Sequence, residues 1–381
     1  MRSSLLNSAL LLLHWSSASS LEIPYRRSYF YVGGSYVDDG AGGHLFQGQM
    51  YVEKLGPVDG PSQPTPIVLI HGQGQTGTIT KATSHQNFLN KPDGGVGWAS
   101  RFIEQGHEVY VVDQTFRGRS PWRPGAGQAE PSAFTAEYVQ QRFTAVRDYA
   151  LWPQAALHTQ WPGPGTMGDP VFDAFYGAGA QYIDNATYQQ TAVQAAGARL
   201  LDRIGTPVVL VGHSQGGIMP PLIADARPHL TRALVLLEPS GPPFRDALPV
   251  PKPARAWGLA DIPLTYRPAV ARPDVELVTQ TFAARDENHT DCILQAEAPL
   301  PRRLANLADI PILTVTAEAS FHALYDECNV RYLRQAGCKV DHVELGDVGI
   351  HGNGHMFFME MNSDVIQDLV HDWILNATKG G

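Results

Sequence analysis

Short runs of β-branched and aliphatic residues recur along the chain, each bounded by glycine, proline or polar residues. Ile67-Val68-Leu69-Ile70, Val109-Tyr110-Val111-Val112-Asp113, Pro207–Val211, Ala233–Leu237 and Pro311–Val315 are apolar on both faces. That pattern predicts strands buried inside a parallel sheet. Between them, Trp98–Gly106, Ala186–Ile204 and His322–Ala336 predict helices, and Gly106 and Gly337 stop two of them. Lys339–Leu345 predicts a last strand, and a terminal helix runs from Ser363, read as its N-cap, to about Asn376. The start of the chain differs. Tyr29–Val32 and His44–Val52, joined across the glycine-rich stretch Asp38–Gly43, predict an antiparallel pair. Strands that alternate with helices after such a start predict one α/β domain: a mostly parallel central sheet with helices on both faces.

Two stretches break this rhythm, at about 121–184 and 242–309. In the first, Trp122, Trp152, Trp161, Phe172, Phe175 and Tyr176 are interleaved with prolines and glycines. The second is rich in proline and carries Cys292. Long irregular insertions in an α/β chain are usually lids or binding loops, so both are expected to be lid-like parts of a single domain spanning 21–381. The aromatics can wall an apolar substrate pocket or pack the insertion onto the body.

Residues 1–20 read as a secretory signal: Arg2, then the apolar Leu5–Leu13, then Ala18-Ser19-Ser20 as a small-residue cleavage site. The apolar run is far shorter than the ~20 residues of a membrane span. A secreted, extracellular protein without an integral membrane segment is expected. Sequons at Asn185, Asn288 and Asn376 fit that compartment as glycosylation acceptors. The three cysteines lack metal-like spacing, so no zinc site is expected; one disulfide and one free thiol are. Cys328–Cys338 is the first choice, with Cys292–Cys328 next. With 381 residues, 43% of them hydrophobic, the chain can bury a large core, and its formal net charge of −9 comes without a basic cluster. Nucleic acid and anionic membrane surfaces are thereby disfavoured as partners.

The chemistry centres on Gly212-His213-Ser214-Gln215-Gly216, a Gly-x-Ser-x-Gly between a predicted strand and a predicted helix. This is the pattern of a nucleophile elbow, a strained turn that exposes the serine Oγ. A serine hydroxyl is a poor nucleophile at neutral pH and needs a base. His355, in the loop after the last strand, is the expected base, ahead of His351 four residues earlier. His71-Gly72-Gln73-Gly74 follows a central strand and can turn a backbone N–H toward the serine. The N–H groups of Gln73 and Gln215 are the expected oxyanion donors, while His71 and His351 are expected to support the site. Asp113 is expected to bond backbone groups of its own loop rather than to act in catalysis.

The order of nucleophile, acid and histidine, each at a strand end, resembles the α/β-hydrolase superfamily. The chain is similar to secreted bacterial and fungal serine esterases that carry the triad acid after the sixth strand. The matching residues are Tyr31-Val32-Gly33-Gly34, His71-Gly72-Gln73-Gly74, Leu237-Glu238-Pro239, Trp257–Tyr266 and Gly352-Asn353-Gly354-His355-Met356. The resemblance implies an α/β-hydrolase fold and ester hydrolysis by a serine triad without a cofactor. The acid usually follows the seventh strand; here that turn reads Ala317-Glu318-Ala319-Ser320, with serine where aspartate is expected. Glu238 is therefore the expected acid, and Glu318 is expected to face its loop. The substrate is expected to be a small apolar ester or lactone. Acyl transfer or cyclisation by the same triad, and ligand binding without turnover, are the competing readings.

Overall fold

The computed structural model describes residues 23–77, 87–124, 130–248 and 251–379. The leader read at 1–20 lies outside them. Eight strands form one sheet: β1 (Tyr25–Asp38), β2 (His44–Pro57), β3 (Ile67–Ile70), β4 (Val109–Asp113), β5 (Val208–His213), β6 (Thr231–Leu237), β7 (Pro311–Thr316) and β8 (Lys339–Glu344). Their spatial order is β1-β2-β4-β3-β5-β6-β7-β8. β1 and β2 enter antiparallel, and all pairings from β4 to β8 are parallel.

Side-chain alternation along the strands divides the core in two. Val68, Ile70, Leu210, Leu234 and Ile312 face α2 (Ala186–Ile204), α3 (Met219–Ala226) and α4 (Asp326–Gln335). Ile67, Leu69, Val209, Val211 and Val315 face α1 (Trp98–Glu104) and α5 (Ser363–Thr378). Both faces of every central strand are thus buried, which is why these strands read as unbroken apolar runs.

Local expectations shift at three places. Ser363 is the first residue of α5 and not its cap: the cap position is Asn362, and the Ser363 carbonyl accepts from Trp98 Nε1 at 3.2 Å. The helix expected at His322–Ala336 is a 3₁₀ turn at Phe321–Leu324 followed by α4. The region 242–309 contains short antiparallel pairs, Arg245–Asp246 with Lys252–Pro253, Tyr266–Arg267 with Arg303–Leu304, and Thr279–Phe282 with Cys292–Gln295. Pairs this short leave little periodic signal to read.

The disulfide joins Cys292 to Cys328, with Cα atoms 5.2 Å apart, and Cys338 is the buried free thiol. The first-choice pairing Cys328–Cys338 is therefore corrected. Cys328 lies at the start of α4 and Cys338 just beyond its end, about 15 Å along a helix at 1.5 Å per residue. A disulfide tolerates less than about 7 Å between Cα atoms. Burial pushes the Cys338 thiol up to about 12.

Candidate active site

β5 ends at His213 and a 3₁₀ turn leads into α3, so Ser214 sits on a sharp corner with φ +57°. Two glycines make the corner possible. A Cβ on Gly212 would lie 2.3 Å from Gly216 O, and one on Gly216 would lie 2.1 Å from His71 O. The turn that carries Ser214 is thus pressed against the end of β3.

Ser214 opens onto a cavity of about 240 Å³ lined by Gln73, Phe134, Phe143, Tyr176, His355 and others. Its lining includes no Asp, Glu, Lys or Arg among the described residues. Much of its apolar wall comes from the first insertion, and among the described residues the second contributes none of the lining. The first insertion's aromatics divide between two tasks. Phe175 and Tyr176 face the cavity. Trp161 packs on Phe175 with ring centroids 5.1 Å apart, while Trp152 Nε1 donates to Ala319 O at 2.9 Å.

His355 lies in the loop after β8, with Nδ1 2.5 Å from Glu238 Oε2. Glu238, directly after β6, is fully buried and holds a left-handed φ of +47°. Its Oε1 accepts the Ala317 N–H at 2.7 Å, and its Oε2 accepts the Ser320 hydroxyl at 2.7 Å. The serine that stands where an aspartate is usual therefore hydrogen-bonds the glutamate on the neighbouring strand. Burial pushes the Glu238 carboxyl up, as does Asp326, against the pull of those two donors. Burial also holds the His355 imidazole well below its ordinary value, and His213 and His322 push the same way.

The loop carrying His355 is itself fastened. His213 Nε2 donates to the His355 carbonyl at 2.9 Å. Glu360 accepts from Gly354 N at 3.1 Å and from Asn353 Nδ2 at 2.9 Å, and meets His158 Nε2 at 2.7 Å.

His71 does not line the cavity. It accepts the Gln114 N–H at Nε2 (2.9 Å), so Nδ1 carries the proton and donates to Gly72 O at 2.9 Å. Burial lowers its pKa to about 4, which keeps it neutral. His351 is largely exposed; its Nδ1 lies 3.0 Å from Glu318 Oε1, and Glu318 Oε2 accepts from Gly352 N at 2.8 Å. Asp113 accepts from Gly77 N at 2.6 Å and Arg119 N at 2.8 Å, bonding its loop as expected.

An Alpha/beta hydrolase family model matches residues 67–368. The chain belongs to the α/β-hydrolase family. It is similar to a protein named Probable secreted lipase phiG from a fungal species (strain ATCC 74256), at 45% identity over 377 residues and 97% of each chain. The fold resembles a solved structure described as a novel bacterial esterase, with a TM-score of 0.60 and 21% identity over 93% of this chain and 96% of that one.

Sequence reasoning missed two groups in this hydrolase. His322 lies face to face on His355, ring centroids 4.7 Å apart and planes 2° from parallel. Glu238, His322 and His355 bring ligand-type atoms within 4.8 Å of one another. His322 Nδ1, however, is 2.9 Å from Asp326 Oδ1, and its Nε2 is 3.2 Å from the Tyr325 hydroxyl. With both nitrogens partnered and the rings parallel, the group is a hydrogen-bonded stack rather than a convergent coordination sphere. The second missed group is Arg117, wholly buried beneath the His71–Gly74 loop. The signal was present as one of two arginines in the loop after β4, Arg117-Gly118-Arg119, but nothing local showed which of them points inward.

Proposed function

We propose that this chain is a secreted carboxylic-ester hydrolase that works through Ser214, His355 and Glu238 and an acyl-enzyme intermediate. The observation that carries the reading is the buried contact of Glu238 with Nδ1 of His355 at 2.5 Å, His355 lining the same cavity as Ser214. Glu238 accepts the Nδ1–H, which leaves Nε2 as the basic nitrogen. Nε2 takes the proton of Ser214 Oγ as that oxygen attacks the ester carbonyl, and returns it to the leaving alkoxide. Water then repeats the cycle on the acyl-enzyme. A histidine held well below its ordinary pKa rests neutral and is ready to act as base.

The oxyanion is assigned to the N–H groups of Gln215 and Gln73. Peptide planarity supports Gln73 over Gly74. The Gly72 carbonyl is bound on the protein side by His71 Nδ1 at 2.9 Å and Arg117 Nη1 at 3.0 Å. In a trans peptide the following N–H points the opposite way, so the Gln73 N–H is turned from the interior toward the cavity. The uncharged, aromatic lining suits a neutral apolar ester or lactone, and the leader together with the secreted relative supports export. Asn185, Asn288 and Asn376 are all exposed, as glycan acceptors must be.

The test is hydrolysis of a chromogenic ester by Ser214→Ala and His355→Ala enzyme. Each variant is expected to lose on the order of a million-fold in turnover with an unchanged circular-dichroism spectrum. Sustained turnover by Ser214→Ala would refute the assignment.

A further inference from the structure

Arg117 is 0% exposed, yet among the described residues no carboxylate lies within ion-pair distance of it. The neighbouring acids are taken by Arg119, which pairs with Asp113 at 2.9 Å and with Glu53 at 2.5 Å. Arg117 instead spends its donors on two neutral acceptors. Nη1 donates to Gly72 O at 3.0 Å and Nη2 donates to Gln215 Oε1 at 3.2 Å, while Nε has no partner among the described residues. Gln114 completes the frame, donating to His71 O at 2.5 Å and to Gln215 Oε1 at 3.1 Å. Burial lowers the Arg117 pKa to about 9, so the guanidinium is still charged at neutral pH.

A buried cation without a counter-ion is costly to the fold. Violations of this kind concentrate at functional sites. Here one contact falls on the Gly72 carbonyl, in the amide that carries the Gln73 N–H, and the other on the side chain of Gln215. The N–H groups of Gln73 and Gln215 are those assigned to the oxyanion. The Gly72 carbonyl and the Gln73 N–H belong to one amide, so a cation on the carbonyl strengthens the N–H as a donor. In the ground state the substrate carbonyl is neutral; negative charge develops on it only as the tetrahedral intermediate forms. A fixed positive charge behind the donors therefore acts on the transition state more than on the bound substrate.

We infer that Arg117 is a positioning residue of the oxyanion site, fixing the Gly72–Gln73 peptide and the Gln215 side chain while its charge favours the anionic intermediate. The inference rests on Ser214 as nucleophile and on Gln73 and Gln215 as oxyanion donors.

The experiment compares wild type, Arg117→Met, Arg117→Lys and Ser214→Ala, with active sites of the first three counted by a fluorophosphonate probe. kcat, KM, inhibition by an alkylboronic acid that forms a tetrahedral adduct, and Tm are measured for each. Arg117→Met is expected to lower kcat per titrated site about 10- to 100-fold, less than loss of a direct donor, with KM within about twofold. Boronate affinity should fall in parallel with kcat/KM. Tm should hold or rise, because Gly72 O keeps His71 and Gln215 Oε1 keeps Gln114. Arg117→Lys, which retains charge without the fork, should fall between, and it is judged by the same kcat, KM and boronate criteria if Arg117→Met does not accumulate. An unchanged kcat per titrated site, or boronate affinity that ignores the substitution, would overturn the inference. If Ser214→Ala itself turns over ester, the underlying reading falls; if it is inactive while Arg117→Met matches wild type, only the role of Arg117 falls.

Discussion

Two glutamate–histidine pairs follow adjacent strands of the sheet, and they differ mainly in what surrounds them. After β6, Glu238 meets His355 at 2.5 Å with side chains 0% and 2% exposed. After β7, Glu318 meets His351 at 3.0 Å with side chains 23% and 64% exposed. The exposed pair is solvated and adds at most about 1 kcal/mol, with little hold on ring orientation. The buried pair has further partners: Ala317 N and the Ser320 hydroxyl hold the carboxylate, His322 stacks on the imidazole, and His213 holds its carbonyl. The same two residue types thus make a loop tie in one place and a candidate proton relay in the other. Enclosure and a serine opening onto the same cavity separate the two roles.

The sharpest way to break that comparison is to neutralise each glutamate. Glu238→Gln is expected to lower kcat by roughly 10³–10⁴ with KM little changed, because the amide cannot stabilise the imidazolium. Steady-state kinetics on folded enzyme check this, and near-normal turnover would remove Glu238 from the relay. The next effect is on pH. In the proposed mechanism the neutral imidazole is the base, so activity is expected to be lost as pH falls through its pKa. Since burial holds His355 well below the ordinary value, the acid limb of kcat/KM should lie below about 6.5. A limb at or above that value would point to a histidine other than the buried one. The smallest effects belong to the exposed pair. Glu318→Gln and His351→Ala should each stay within about tenfold of wild type, under ~1.4 kcal/mol of barrier. A collapse in either would move the chemistry to the turn after β7.

The elbow was legible because its requirements are local. Gly212 and Gly216 stand two positions either side of the serine in sequence, and a buried strand and a helix flank them. Glu238 was readable as the candidate acid by comparison of two strand ends, since the turn after β7 offers Ser320 where an acid is usual. That Ser320 donates to the Glu238 carboxylate could not be read, because the two residues are 82 positions apart and meet only across β6 and β7. The disulfide shows the same boundary. Three cysteines allowed one pairing, but helix length rules out Cys328–Cys338, and the bond goes to the short strand carrying Cys292.

By itself the sequence determined the alternation of strands and helices, the corner at Ser214, and the placement of Ser214 and Glu238 directly after strands and of His355 in the loop after the last one. These follow from periodicity and backbone stereochemistry, which act over a few neighbouring residues. Only the tertiary structure decided which of two glutamate–histidine pairs is enclosed, which insertion walls the cavity, and that Arg117 lies buried against Gly72 and Gln215. Those outcomes depend on which distant segments exclude water together, and burial sets both the strength of a charge and the cost of leaving it unpaired.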